Sequence, residues 1–337
     1  MQFGRGRPIG ALAVLLVLAG LPASTVWADD WDPSRITYPP KSIAYYQAYD
    51  QRLQDVGWKL IRANADFCEN TVASIGLQLQ DVTTFGKPEI ARRALKLSGD
   101  FAVATSAKGS PAEASGTLTQ NREITHLGEV DLNAIPINKK EKWARLKRVH
   151  DLLDGLLSDG SPVSIRFAGG EEVRVAPVKV CPARFELAAD DDRLVGDDER
   201  VLIGIKSEVF TYSEDVFAAG PAHALAHPLS GHFGWHKRLG RRLSRVRMTE
   251  KEADRLMPWL LINAGFEPSA ASVFFRKYQP PSGSFLFFRG SHPKWRDREE
   301  WVEAETAIIE PLMASEGKAD WRRHFLREID PNQGRKP

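Results

Sequence analysis

The chain has 337 residues, two cysteines and a formal net charge of +2, from 46 Lys and Arg against 44 Asp and Glu. That length supports two modest domains with buried cores. So even a balance excludes the strongly basic profile of a nucleic-acid or anionic-membrane binder; the local cluster from His236 to Arg247 reads as a solvated helix face or loop.

Arg5 and Arg7 precede an apolar run from Ile9 to Leu21, and Val26-Trp27-Ala28 puts small residues where a signal peptidase reads them. The expectation is a signal peptide over 1–28, cleaved after Ala28, and an exported protein, periplasmic or secreted. The apolar run is too short for a membrane span; an uncleaved anchor is the alternative. No cysteine follows it to carry a lipid. In an exported chain, Cys68 and Cys181 read as one disulfide, the alternative being two buried thiols.

Residues 29–42 are Pro-rich and polar and read as a linker. Ile43, Tyr46, Tyr49, Leu53, Val56, Leu60 and Ile61 recur at helical spacing and predict an amphipathic helix up to Phe67. From 100 to 180 short β-like runs alternate with turns: 101–104, 124–127, 163–167 and 173–178. The last two read as a hairpin across Gly169-Gly170, and a helix is expected from about Lys142 to Leu157. Residues 188–199 are acidic, lack the ligand spacing of a calcium loop, and read as a surface turn.

Lys108-Gly109-Ser110-Pro111-Ala112-Glu113-Ala114-Ser115-Gly116, Gln120-Asn121-Arg122-Glu123-Ile124 and Gly128-Glu129-Val130-Asp131-Leu132 stand in the order of the "GSPA..AG", "PGD.I" and "NG..V" segments of PDZ domains. Over about 80 residues the chain resembles that family, with Gln120-Asn121 replacing the usual Gly-Asp. The resemblance implies a β-rich domain over 85–182 that takes an extended peptide on a sheet edge.

Further on, 201–205 predicts a strand. Ser213 reads as the N-cap of a helix with Glu214 and Asp215 in its first turn. His223 and His227 are four apart, which on a helix offsets them by only about 40° and lets both face one metal ion. This is the spacing of the zinc motif H-E-x-x-H, whose Glu is a general base; here that position holds Ala224. Glu214 and Asp215 lie more than two turns upstream, so no replacement base is evident. Gly220-Pro221 is expected to interrupt the helix, a new one starting with Pro221 in its first turn. Pro228 is expected to put His227 at a kink or helix end. His232 and His236 repeat the spacing, but Gly231 and Gly234 argue for a loop. Another helix is predicted to start at Met248-Thr249, with Thr249 or a neighbour as cap, and to stop at Gly265; others follow at 268–278 and about 297–313.

Asp215-Val216-Phe217-Ala218, His223-Ala224-Leu225-Ala226-His227, Glu250-Lys251-Glu252-Ala253-Asp254, Ala264-Gly265-Phe266-Glu267-Pro268 and Ser291-His292-Pro293, with Arg298 behind, form an ordered set. It resembles D-E-L-A, H-E-L-A-H, E-x-x-A-D, A-G-[FY]-x-P and S-H-P of the HtpX-like and CAAX-prenyl-protease-like zinc metallopeptidases, peptidase family M forty-eight. The resemblance implies zinc held by His223, His227 and Glu250, Asp254 orienting an imidazole, and His292 binding substrate or stabilising an oxyanion. With Ala224 at the general-base position, it implies a protein that binds a polypeptide or envelope partner and hydrolyses little or nothing; an active zinc endopeptidase with an unusual base is the alternative. The expected class is α+β: linker and helix to 84, a PDZ-like domain over 85–182, a mostly helical zincin-type domain over 195–315 and a tail over 316–337.

Overall fold

The computed structural model describes residues 42–138, 140–141, 143–188, 194–196, 200–278 and 293–334. The expected signal peptide, most of the linker, Ser291 and His292 lie outside the described residues. The described residues mix helix (52%) and strand (16%), with the strands gathered between Val72 and Gly204 and the long helices mostly after them, consistent with the expected α+β class. The described residues form two compact units, one of 42–54 with Ala73–Lys179, the other of Asp55–Val72 with 180–334.

Helix α1 (Ile43–Ala63) follows the predicted periodicity, with Leu53, Val56 and Leu60 fully buried. After it come β1 (Val72–Ser74), β2 (Leu77–Asp81), α2 (Pro88–Leu95), β3 (Phe101–Ser106), the short α3 (Pro111–Ala114), β4 (Ile124–Leu127), β5 (Val130–Asp131) and α4 (Trp143–Leu157). The hairpin of β6 (Val163–Phe167) and β7 (Glu172–Val175) closes the first unit's larger sheet, of order β5-β4-β6-β7. Val163, Ile165 and Phe167 alternate inward along β6. Gly170 sits at φ +83° in the turn, where a side chain would be strained. The expected single run to Val178 is divided: β8 (Val178–Val180) leaves this sheet and pairs with β1.

β2 pairs antiparallel with β3. Leu77, Leu79, Phe101, Val103, Ile124, Leu127, Val149, Leu153 and Leu157 join the β6 side chains in one core. Each such burial is worth roughly 1.5–3 kcal/mol. Arg145 of α4, 1% exposed, is held there by Asp81 and Asp100, its Nη1 lying 3.2 and 2.8 Å from their carboxylates.

In the second unit, β9 (Arg184–Ala188), β10 (Leu194–Gly196) and β11 (Arg200–Gly204) form a sheet of order β10-β11-β9; β10 stands where a turn was expected. A Cβ on Gly57 of α1 would lie 2.4 Å from the Phe185 ring, so only glycine lets helix and strand approach so closely. Cys68 and Cys181 form the disulfide, and the Cys181 amide donates to the Ile61 carbonyl at 3.0 Å.

Among the described residues, α5 (Glu214–Leu229), α6 (His232–Leu239), α7 (Leu243–Asn263), α8 (Ala270–Lys277) and α9 (Trp295–Glu316) follow, then the short α10 (Trp321–His324). α5 is buried continuously from Val216 to His227, as befits a helix apolar on all sides. It packs on α7, α8, β10 and β11. Three expectations are corrected here. α5 runs unbroken through Pro221, while Pro228 stands in its last turn and His227 lies near the helix end, as expected. Pro221 removes the N–H that would bond the Phe217 carbonyl, at a mid-helix cost of about 3 kcal/mol; enclosure of the helix on several sides offsets this. α7 starts at Leu243 with Arg242 at its N-cap. Thr249 lies inside it, donating to the Val246 carbonyl at 2.9 Å. His232 and His236 are on helix α6 rather than a loop, with Gly231 taking the left-handed N-cap position at φ +67°.

The C-terminal stretch, expected as a tail, is anchored. Asn263 exchanges hydrogen bonds with Ala319. Trp321 Nε1 donates to Asn64 Oδ1 at 3.0 Å. Phe325 and Ile329 are buried.

Candidate metal centre

Helix α5 presents His223 and His227 one turn apart, and α7 presents Glu250 and Asp254 one turn apart on the facing side. All four are at most 5% exposed. His223 Nε2 lies 3.3 Å from Glu250 Oε2 and 3.4 Å from His227 Nε2; His227 Nε2 lies 3.7 Å from Glu250 Oε2. Among the described residues these three form the one cluster whose donor atoms converge closely enough to hold an ion. Two donors bound about 2.0–2.1 Å from a tetrahedral zinc lie about 3.3–3.4 Å apart, which two sides of the triangle match, the His227–Glu250 side of 3.7 Å being longer. Two imidazoles and one carboxylate would leave a fourth position open.

Each histidine is supported from behind. Asp254 Oδ1 lies 2.9 Å from His223 Nδ1, which puts the proton on Nδ1 and leaves the Nε2 lone pair facing the centre. Arg298 of α9 grips Asp254 with both ends of its fork, Nε to Oδ2 at 2.7 Å and Nη2 to Oδ1 at 2.6 Å. His227 Nδ1 lies 2.9 Å from His232 Nδ1. His232 Nε2 in turn lies 3.1 Å from Glu252 Oε1. His236 Nε2 is engaged with Thr249 Oγ1 at 2.9 Å, so His232 and His236 do not form a second metal pair.

Burial holds the His227 pKa well below the ordinary histidine value. Burial acts the same way on His223, but the hydrogen bonds and charges of Asp254 and Glu250 outweigh it and its pKa is raised. Burial would raise Asp254; the Arg298 charge, with the His223 hydrogen bond, outweighs it and holds the carboxyl low.

Ala224, 1% exposed, follows His223 directly. Four other carboxylates of this unit have partners of their own. Glu214 is paired with Lys59 at 2.7 Å. Asp215 Oδ1 accepts the Glu267 amide at 3.3 Å. Asp254 is held by Arg298, and Glu252 by Arg327 at 2.6 Å.

Sequence reasoning singled out His223, His227, Glu250 and Asp254, and the structure brings them together. It missed Glu252 and Arg327. Glu252 sits in the charged run Glu250-Lys251-Glu252-Ala253-Asp254, which does not single it out, and Arg327 carried no signal either. Comparison of the chain with models of known families, with curated proteins and with solved structures finds no match.

Proposed function

We propose that this is an exported metallopeptidase-like protein of the family M forty-eight type, which holds zinc at His223, His227 and Glu250 and is impaired or inactive in hydrolysis. Its role is to bind a polypeptide or an envelope partner. The observation that carries this reading is the convergence of the three donor atoms at 3.3–3.7 Å beside an alanine at the general-base position. Zinc, when bound, would acidify a water and polarise a carbonyl. The chain's own residues would then orient the imidazoles through Asp254 and His232. None of the carboxylates described above is placed to take the proton that a Glu at position 224 would accept. A positioned base is worth about 10²–10⁴ in rate. His292 is proposed, from the family resemblance, as a substrate or oxyanion residue.

Export is supported by the signal-like N-terminus and by the disulfide. Among the described residues no helix is long and apolar enough to cross a membrane. In the first unit, just ahead of the PDZ-like segment, β2 pairs with β3 alone in its sheet among the described residues. His150 Nε2 already accepts the Leu79 amide at 3.4 Å, so a peptide docking along β2 must compete with it. A peptide array with no enrichment for extended or C-terminal peptides would remove peptide docking from the proposal.

A second reading, an active zinc endopeptidase with an unusual base, draws on the completeness of the Asp254–Arg298 support, which a relict site has no reason to keep. Elemental analysis of the purified protein beside His223→Ala tests the centre: one zinc per chain, lost in the variant, is expected, and no zinc in either sinks it. Ala224→Glu is expected to raise peptidase activity by about 10²–10⁴. Chelator-sensitive hydrolysis by the unaltered protein would establish the second reading instead.

A further inference from the structure

Behind His227 runs a chain of contacts that ends at the far C-terminus. His227 Nδ1 and His232 Nδ1 face each other at 2.9 Å, so one carries a proton and the other accepts it. His232 Nε2 faces Glu252 Oε1 at 3.1 Å. The other neighbours of that carboxylate are donors: Arg327 Nε at 2.6 Å and the amides of Glu328 and Ile329. Arg327 is itself fixed by donating to the Ser230 carbonyl at 2.7 Å.

The carboxylate only accepts, so His232 must carry its proton on Nε2. His232 is 1% exposed, and Arg327 lies 2.6 Å from the same Glu252 oxygen. A neutral ring protonated at Nε2 is an acceptor at Nδ1. His227 must therefore donate from Nδ1, which leaves its Nε2 lone pair directed at Glu250 and His223. The opposite assignment would put a proton on Nε2, where the ion would bind.

We propose that His232, anchored by Glu252 and the 327–329 segment, is the positioning residue for His227 and sets the tautomer that lets His227 ligate a metal. The proposal rests on the metal-centre reading above. It makes the two histidine ligands symmetric in logic: His223 is set by Asp254 and Arg298, His227 by His232, Glu252 and Arg327. It also gives the C-terminal segment a task at the site, since its amides and Arg327 fix the carboxylate at the end of the chain.

The test is Zn²⁺ and Co²⁺ affinity, by competition with a chromophoric chelator, for the parent protein, His223→Ala, His232→Phe and His232→Asn. Phe keeps the ring and removes the acceptor; Asn puts an oxygen where Nδ1 stood. Expected are a 10–100-fold loss in His232→Phe, recovery towards the parent value in His232→Asn, and a changed visible spectrum of bound Co²⁺ in the Phe variant. Long-range ¹⁵N–¹H NMR on the metal-free parent is expected to show His227 protonated at Nδ1 and His232 at Nε2, a readout that stands even if a variant fails to fold. Parent-like affinity in His232→Phe, equal losses in Phe and Asn, or His227 protonated at Nε2 in the parent would each overturn this proposal and leave the metal centre standing. Failure of the parent to bind either ion would overturn the metal centre, and this proposal with it.

Discussion

Arg145 sits in the first unit between Asp81, which is fully buried, and Asp100. Arg145 lowers the pKa of both carboxyls, but their net shifts are opposite. Burial dominates at Asp81 and raises its pKa. At Asp100 burial is again the largest influence, but hydrogen bonds and charges from Arg92 and Arg145 together outweigh it and lower the pKa. A depressed carboxyl stabilises the fold above its unfolded pKa, about 4, and that contribution is lost as the pH falls through the folded value. Asp81 acts with the opposite sign. Asp100→Asn is therefore expected to cost about 1.5–3 kcal/mol at neutral pH, with a difference from the parent that shrinks below about pH 4. Denaturant unfolding at pH 7, 5, 4 and 3 checks this; a difference that grows on acidification would contradict the assignment.

At the scale of elements, α5 concentrates the tension between propensity and packing. Its prolines oppose the helix, and its burial from Val216 to His227 enforces it. Pro228 lies in the last turn, so its cost is below the mid-helix value of about 3 kcal/mol. Pro228→Ala would restore an N–H towards the Ala224 carbonyl and give back some freedom to the unfolded chain. The expected outcome is a gain of about 1 kcal/mol, read as a higher unfolding midpoint, with unchanged zinc content. α7 is the counterpart: it carries Glu250, Glu252 and Asp254 within five residues and serves both histidine supports from one helix. Its Trp259 and Arg255 also bind Glu305 of α9, at 2.8 and 2.7 Å, which fixes the helix that delivers Arg298.

At the scale of the whole molecule, the disulfide closes a sequence separation of 113 residues. A loop of that length removes much of the freedom of the unfolded chain, and breaking it typically costs about 2–5 kcal/mol. Cys68→Ser with Cys181→Ser is expected to lower stability by that amount while the zinc content of the folded protein stays at the parent level, because neither cysteine touches the site. Loss of zinc from a still-folded double variant would show that the bridge also shapes the centre.

The local pattern determined much of this protein. Apolar spacing marked α1, α4 and the β6–β7 hairpin, because burial on one face leaves a period in the sequence. The four-residue spacing of His223 with His227 marked two candidate ligands, because a helix turns such a pair to one side; Glu250 and Asp254 were marked by the family resemblance. Only the tertiary structure decided the rest. Pro221 predicts a break by local sterics, and the break is absent because the surrounding helices and strands enclose α5. Gly231 and Gly234 suggest a loop around His232, yet Gly231 caps α6 and the ring is buried. Glu252 meets His232 across 20 residues and Arg327 across 75. Such partners share no periodicity, so nothing in the local sequence announces them. Their pairing arises from the need to satisfy buried charge once α6, α7 and the C-terminal segment have packed.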